Sequence, residues 1–101
     1  MTNQVMEMFK LTLYSELYQT EKGNLLTYGE LARLSGQPNY ARQVGRILKN
    51  LPKDTQLPWY RVVKGNKEIA FSIGSDAYER QKNHLEKEGW IIRGQKIIRS
   101  L

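Results

Sequence analysis

The chain has 101 residues, 40% of them hydrophobic and 26% charged, enough apolar material for one compact core and too little chain for a second independent one. Lys and Arg number 16 against 10 Asp and Glu, a net charge of +6, and that excess favours a polyanionic partner such as nucleic acid. There is no cysteine, so disulfides, thiolate metal sites and cysteine nucleophiles are excluded. No stretch approaches the roughly 20 apolar residues of a membrane span, and the expectation is a single cytoplasmic domain over residues 1–101.

From Asn3 to Thr20, Val5, Phe9, Leu13 and Leu17 recur every fourth position, with Met6 and Met8 widening the stripe, which predicts an amphipathic helix. Glu21 to Asn24 is turn chemistry. Thr27 followed by Glu30 is a capping-box pattern. It opens a second helix through Leu31, Ala32 and Leu34 that stops at Ser35-Gly36. After Gln37-Pro38, Asn39 reads as the cap of a third helix burying Val44, Ile47, Leu48 and Leu51 and ending at Asn50-Leu51-Pro52. Two short helices joined by a glycine-containing turn suggest a helix-turn-helix.

Leu57 to Val63 reads as an extended run started by Pro58, forming a pocket wall. Gly65-Asn66 is a turn and Ile69-Ala70-Phe71 a short apolar stretch. Ser75-Asp76 opens a last helix with Ala77, Gln81, Leu85 and Glu88 on one side, closed by Gly89. Ile91-Ile92 and Ile97-Ile98 around residues 93–96 read as a terminal hairpin, a small wing. The fold class is mainly α with short β elements.

Between Leu31 and Lys53 stand Arg33, Arg42, Arg46, Lys49 and Lys53 with no acidic residue. Arg42, Arg46 and Lys49 lie at i, i+4 and i+7, one stripe of the third helix opposite its apolar face. A solvated face is the bland account of such a run; the absence of carboxylates across it favours nucleic acid. Ala41 and Gly45 are small residues at i and i+4 that let the helix approach a narrow groove. Arg42, as third residue of its helix, works against the helix dipole at about 0.3–1 kcal/mol, which points to a use elsewhere. Tyr28, first in the second helix, stands beside free N–H groups that suit a phosphate, although a half-buried core tyrosine accounts for it equally well. Trp59-Tyr60 on its own reads as a core anchor. His84 has no second ligand at metal spacing, and one histidine among Ser15, Ser35, Ser72, Ser75 and Ser100 makes no catalytic triad. No cofactor or metal is expected.

Thr27-Tyr28-Gly29-Glu30-Leu31-Ala32, Pro38-Asn39-Tyr40-Ala41-Arg42-Gln43-Val44-Gly45, Pro58-Trp59-Tyr60-Arg61-Val62-Val63 and Glu88-Gly89 resemble, in order and spacing, the C-terminal domain of O6-alkylguanine-DNA alkyltransferases. Trp59 stands where the repair enzymes have the acceptor cysteine, which resembles the alkyltransferase-like proteins. The resemblance implies a winged helix-turn-helix-like fold and a monomeric, non-enzymatic, nucleoid-associated protein. Its implied function is to recognise O6-alkylguanine in double-stranded DNA by minor-groove binding and base flipping and to mark it for nucleotide excision repair proteins. By matching position it implies that Tyr28 presses on the flipped nucleotide's phosphate and that Arg42 fills the vacated stack. Trp59, Tyr60, Val62 through its carbonyl, and Ser72 on the covering loop form the lesion pocket, and Glu88 is the remnant of the enzymes' Cys-His-Glu relay. Ala41, Gly45 and Arg46 complete the DNA-facing set. Tyr60 replaces the usual histidine, and Ile69 to Asp76 carries no basic residue where some members have an arginine. The competing readings are a sequence-specific helix-turn-helix regulator and, lowest, a repair transferase or glycosylase.

Overall fold

The computed structural model describes residues 4–99. Along them run α1 (Gln4–Tyr18), β1 (Leu26–Thr27), α2 (Tyr28–Leu34), α3 (Ala41–Lys49), a 3-10 turn (Trp59–Arg61), β2 (Val62–Val63), α4 (Asp76–Lys87), β3 (Trp90–Arg93) and β4 (Lys96–Arg99). The mainly helical class with short strands is as expected. The described residues fall into two compact units, 4–20 with 28–59 and 21–27 with 60–99.

The first unit packs α1 on α2 and α2 on α3. Phe9, Leu13 and Leu17 are almost fully buried with Leu31, Ala32, Val44 and Ile47. Val5 and Met8, expected in the buried stripe, are 50% and 64% exposed. Four residues exceed one helical turn of 3.6, so a row of every fourth residue drifts around the helix, and half-buried Met6 takes the N-terminal end of the stripe instead. Asn3 lies outside the described residues, and the helix stops at Tyr18 rather than Thr20. The helix α2 begins at Tyr28 as the Thr27 signal predicts and ends at Leu34, which is exposed. Gly36, at φ +98°, closes α2 with backbone bonds from Gly36 N–H to the Arg33 carbonyl and from Gln37 N–H to the Ala32 carbonyl. This is the left-handed helix stop that glycine permits most readily.

The expected Asn39 cap is corrected: α3 starts one residue later, with Tyr40 at the cap position and no side-chain cap bond. Tyr40 packs edge-on against Phe9, ring centroids 5.1 Å apart, and its carbonyl accepts from the Val44 N–H, so aromatic packing sets the helix start. Arg42 is therefore the second residue of α3 and not the third. Leu48 and Leu51, expected in the core, are only half-buried.

In the second unit β1 pairs in parallel with β2, Leu26 opposite Val62 and Thr27 opposite Val63. The run from Leu57 to Val63 is not extended throughout. It turns through Trp59–Arg61 first, beginning where Trp59 N–H donates to the Leu57 carbonyl, and only Val62–Val63 are strand. Ile69, Tyr78 and Leu85 form the core, flanked by Leu25, Phe71, Trp90 and Ile92. Ser75 caps α4 by accepting the Tyr78 N–H. On the predicted face of α4 Gln81 and Leu85 are buried, Ala77 is half-buried, and Tyr78 joins them as a core residue the pattern missed. The β3–β4 hairpin forms as predicted, Ile91 opposite Ile98 and Ile92 opposite Ile97.

Candidate nucleic-acid interface

The outer face of α3 carries Arg42, Arg46 and Lys49, all exposed, with Ala41 and Gly45 half-buried alongside. Among the described residues these three cations make no ion pair, so their charge is directed to solvent. A methyl group added at Gly45 would lie 3.8 Å from Cε1 of Tyr28, ordinary van der Waals contact, so packing does not require glycine there. The same distance shows that the Tyr28 ring lies beside Gly45. Burial raises the Tyr28 hydroxyl pKa and keeps it a neutral donor. Tyr28 thus meets α3 at Gly45, and Arg42 and Arg46 stand on the solvent side of that helix.

Of the other candidates, Trp59 ends the first unit and the rest lie in the second. Trp59, in the preceding turn, is buried. Tyr60 Oη donates to Glu88 Oε2 at 3.0 Å. Arg61 grips the same carboxylate from two atoms, Nε to Oε1 at 3.0 Å and Nη2 to Oε2 at 2.7 Å, and both side chains of this pair are only about a tenth exposed. The Gly23 N–H adds a longer contact of 3.4 Å. Burial alone would raise the Glu88 pKa; bonds from Arg61 and Tyr60, with the Arg61 charge, outweigh it and leave the carboxyl below its ordinary value. Burial, then the bond to Glu88, raises the Tyr60 phenol. Glu88 is the centre of a buried ion pair.

Gln81, 1% exposed, donates from Nε2 to the Tyr60 carbonyl at 2.9 Å and the Val62 carbonyl at 3.1 Å. His84, which has no second ligand at metal spacing, stacks flat on Tyr60 at 4.3 Å with 9° between the planes. Burial, then Lys87 and Arg80, lower its pKa, so the neutral ring is favoured. Ser72 is exposed, and its carbonyl accepts from the Ser75 N–H and hydroxyl, fixing the turn before α4. Sequence reasoning missed the roles of Arg61 and Gln81. The available signal for Gln81 was a polar residue on the apolar side of α4; Arg61 gave none beyond its place in the motif. Among the described residues no group of three or more His, Asp or Glu side chains could hold a metal, and no helix is long and apolar enough to cross a membrane.

The helical pair with its basic outer face and the short-stranded second unit define a DNA-binding domain of the alkyltransferase class. Residues 8–90 match the family described as 6-O-methylguanine DNA methyltransferase, DNA binding domain, and the chain belongs to that family. It is 43% identical over 84 residues to a DNA base-flipping protein of Vibrio parahaemolyticus, covering 83% of this chain and 82% of the relative. It is 40% identical over 84 residues to alkyltransferase-like protein 1 of Schizosaccharomyces pombe, covering 83% and 78%. The crystal structure of S. pombe Atl1 in complex with damaged DNA containing O6-carboxymethylguanine matches with a TM-score of 0.79 and 40% identity over 87% of this chain and 82% of that one.

Proposed function

We propose that this protein binds double-stranded DNA carrying O6-alkylguanine through the minor groove, turns the altered base out of the stack, and leaves the alkyl group in place. The observation that carries this is the α3 face, where unpaired Arg42, Arg46 and Lys49 flank small Ala41 and Gly45 beside Tyr28. The names of its base-flipping and alkyltransferase-like relatives and the damaged DNA bound to S. pombe Atl1 support the reading. Ala41 and Gly45 admit the helix to the groove, Arg42 enters the vacated stack, Tyr28 presses on the displaced phosphate, and Arg46 neutralises another. Trp59, Tyr60, Val62 and Ser72 receive the base.

The protein is not an enzyme in this reading. It has no cysteine, and the Glu88 carboxylate is taken by Arg61 and Tyr60, so no proton relay remains. It acts as a monomer in the cytoplasm, at the nucleoid, and passes the marked site to nucleotide excision repair proteins. Extruding a base costs a few kcal/mol, least for a lesion that pairs badly, and Arg42, phosphate contacts and the pocket offset it. With about five phosphate contacts, log affinity falls with log salt at a slope near −4 to −5.

The test titrates matched duplexes bearing guanine or O6-methylguanine at one position, across several flanking sequences. Tighter binding to the lesion in every context is the expected result. Preference for one undamaged sequence, with no lesion effect, would instead identify a helix-turn-helix regulator.

A further inference from the structure

A cavity of about 380 Å³ lies between α1 and the C-terminal half of α3 with the residues that follow it. Met6, Ile47 and Leu51 give it an apolar lining, while Lys10, Tyr14 and Arg46 supply polar groups, and no carboxylate lines it. Among the described residues none of Lys10, Tyr14 and Arg46 has a side-chain hydrogen bond or ion pair. The volume is at the small end of the roughly 300–1,000 Å³ of ligand sites, suited to one bulky side chain with its flanking backbone.

We propose that this groove docks an acidic segment of a partner protein, which inserts one apolar side chain between Met6, Ile47 and Leu51 and lays carboxylates on Lys10 and Arg46. Charge complementarity selects the sign: two free cations without a neighbouring carboxylate in the lining attract an anion and repel a basic peptide. The apolar lining selects protein over nucleic acid, because a phosphodiester backbone brings no apolar group to cover it. Arg46 belongs both to this groove and to the basic stripe of α3, so the docked segment abuts the DNA face. Arg46 is the one residue shared with the proposed DNA face; Met6, Lys10, Tyr14 and Leu51 of the groove take no part in lesion recognition. A failure of either reading leaves the other standing.

The test uses the ¹⁵N-labelled full chain and the synthetic acetylated peptide Asp-Glu-Leu-Phe-Asp-Glu, followed by amide shifts. Two control peptides replace Leu-Phe by Gly-Gly or replace the acids by lysines, and an undamaged duplex is titrated separately. Saturable shifts along residues 6–14 and 46–52 with the first peptide alone are expected, weakened about tenfold or more by Lys10→Glu and by Met6→Asp, as loss of a charge-assisted or an apolar contact requires. Thermal unfolding shows which variants fold, and a single folded variant suffices. No saturation at millimolar peptide, equal binding of the Gly-Gly peptide, or unaltered affinity in a folded variant overturns the proposal. Duplex-induced shifts centred on residues 6–10 would also overturn it, by assigning the groove to DNA.

Discussion

Gly45 sits at the fifth position of the nine-residue helix α3, where glycine costs about 0.8–1 kcal/mol relative to alanine. The added methyl of Gly45→Ala would meet Tyr28 Cε1 at 3.8 Å and nothing closer, so no strain offsets that gain. The variant is expected to be more stable by about 0.5–1 kcal/mol, a rise of roughly 2–8 °C in Tm for a domain of this size. In the groove-bound complex the same methyl meets DNA. Forcing a methyl into a close-packed contact costs about 1–3 kcal/mol, roughly a five- to 150-fold rise in Kd. Calorimetric unfolding and fluorescence anisotropy with an O6-methylguanine duplex measure the two effects, which should have opposite signs. A stabilised variant that binds DNA as tightly as the parent refutes the close-approach argument. A destabilised variant refutes the packing argument.

Arg42→Ala should keep the fold and lose most lesion affinity, since an exposed side chain with no protein partner is removed; unchanged binding in a lesion-duplex titration would discard its role in the stack. Tyr28→Ala should reduce base extrusion, read from a fluorescent base analogue at the lesion site, and an unaltered signal returns Tyr28 to a packing role. Trp59→Cys should transfer radiolabelled methyl from O6-methylguanine at most very slowly, because the raised phenol of Tyr60 is a poor base for a thiol of ordinary pKa near 8.5. Adding Tyr60→His should raise the rate, since it restores a group of pKa near 6.5 on the side where residue 60 faces Glu88, and fast transfer by the single variant would sink this reasoning. Glu88→Gln leaves Arg61 buried without its counter-charge and should destabilise by about 3–5 kcal/mol at neutral pH. The folded carboxyl titrates below its ordinary value, so its contribution is full above that value and is lost as pH falls through the folded one. Denaturant titrations at neutral and acidic pH should therefore show the gap closing in acid.

Long periodic elements were legible in the sequence: α1, α4 and the hairpin announce themselves by hydrophobic spacing and by Ser75, Gly89 and Gly94. The basic face of α3 was legible as well, because an uninterrupted run of like charge needs no tertiary knowledge. The start of α3 was not, since the Phe9–Tyr40 ring contact spans 31 positions and leaves no local mark. Nor was β1, whose two residues are too few to show alternation and are strand only through Val62 and Val63. The grip of Arg61 on Glu88 was invisible for the same reason, as partners 27 positions apart carry no pattern.

The pairing of Leu26 with Val62 and Thr27 with Val63 also bears on how the chain folds as it is made. Residues 28–61 form the loop that this ladder closes, at an entropic cost of about 3 kcal/mol if the loop is still a flexible chain. Once α2 and α3 have formed, the loop is partly ordered and the remaining cost is lower. During synthesis α1, α2 and α3 leave the ribosome before Val62 does, so the helical unit can assemble while residues 21–27 still await their partner. Folding is therefore expected in two stages, the helices first and then the unit completed by α4 and the hairpin.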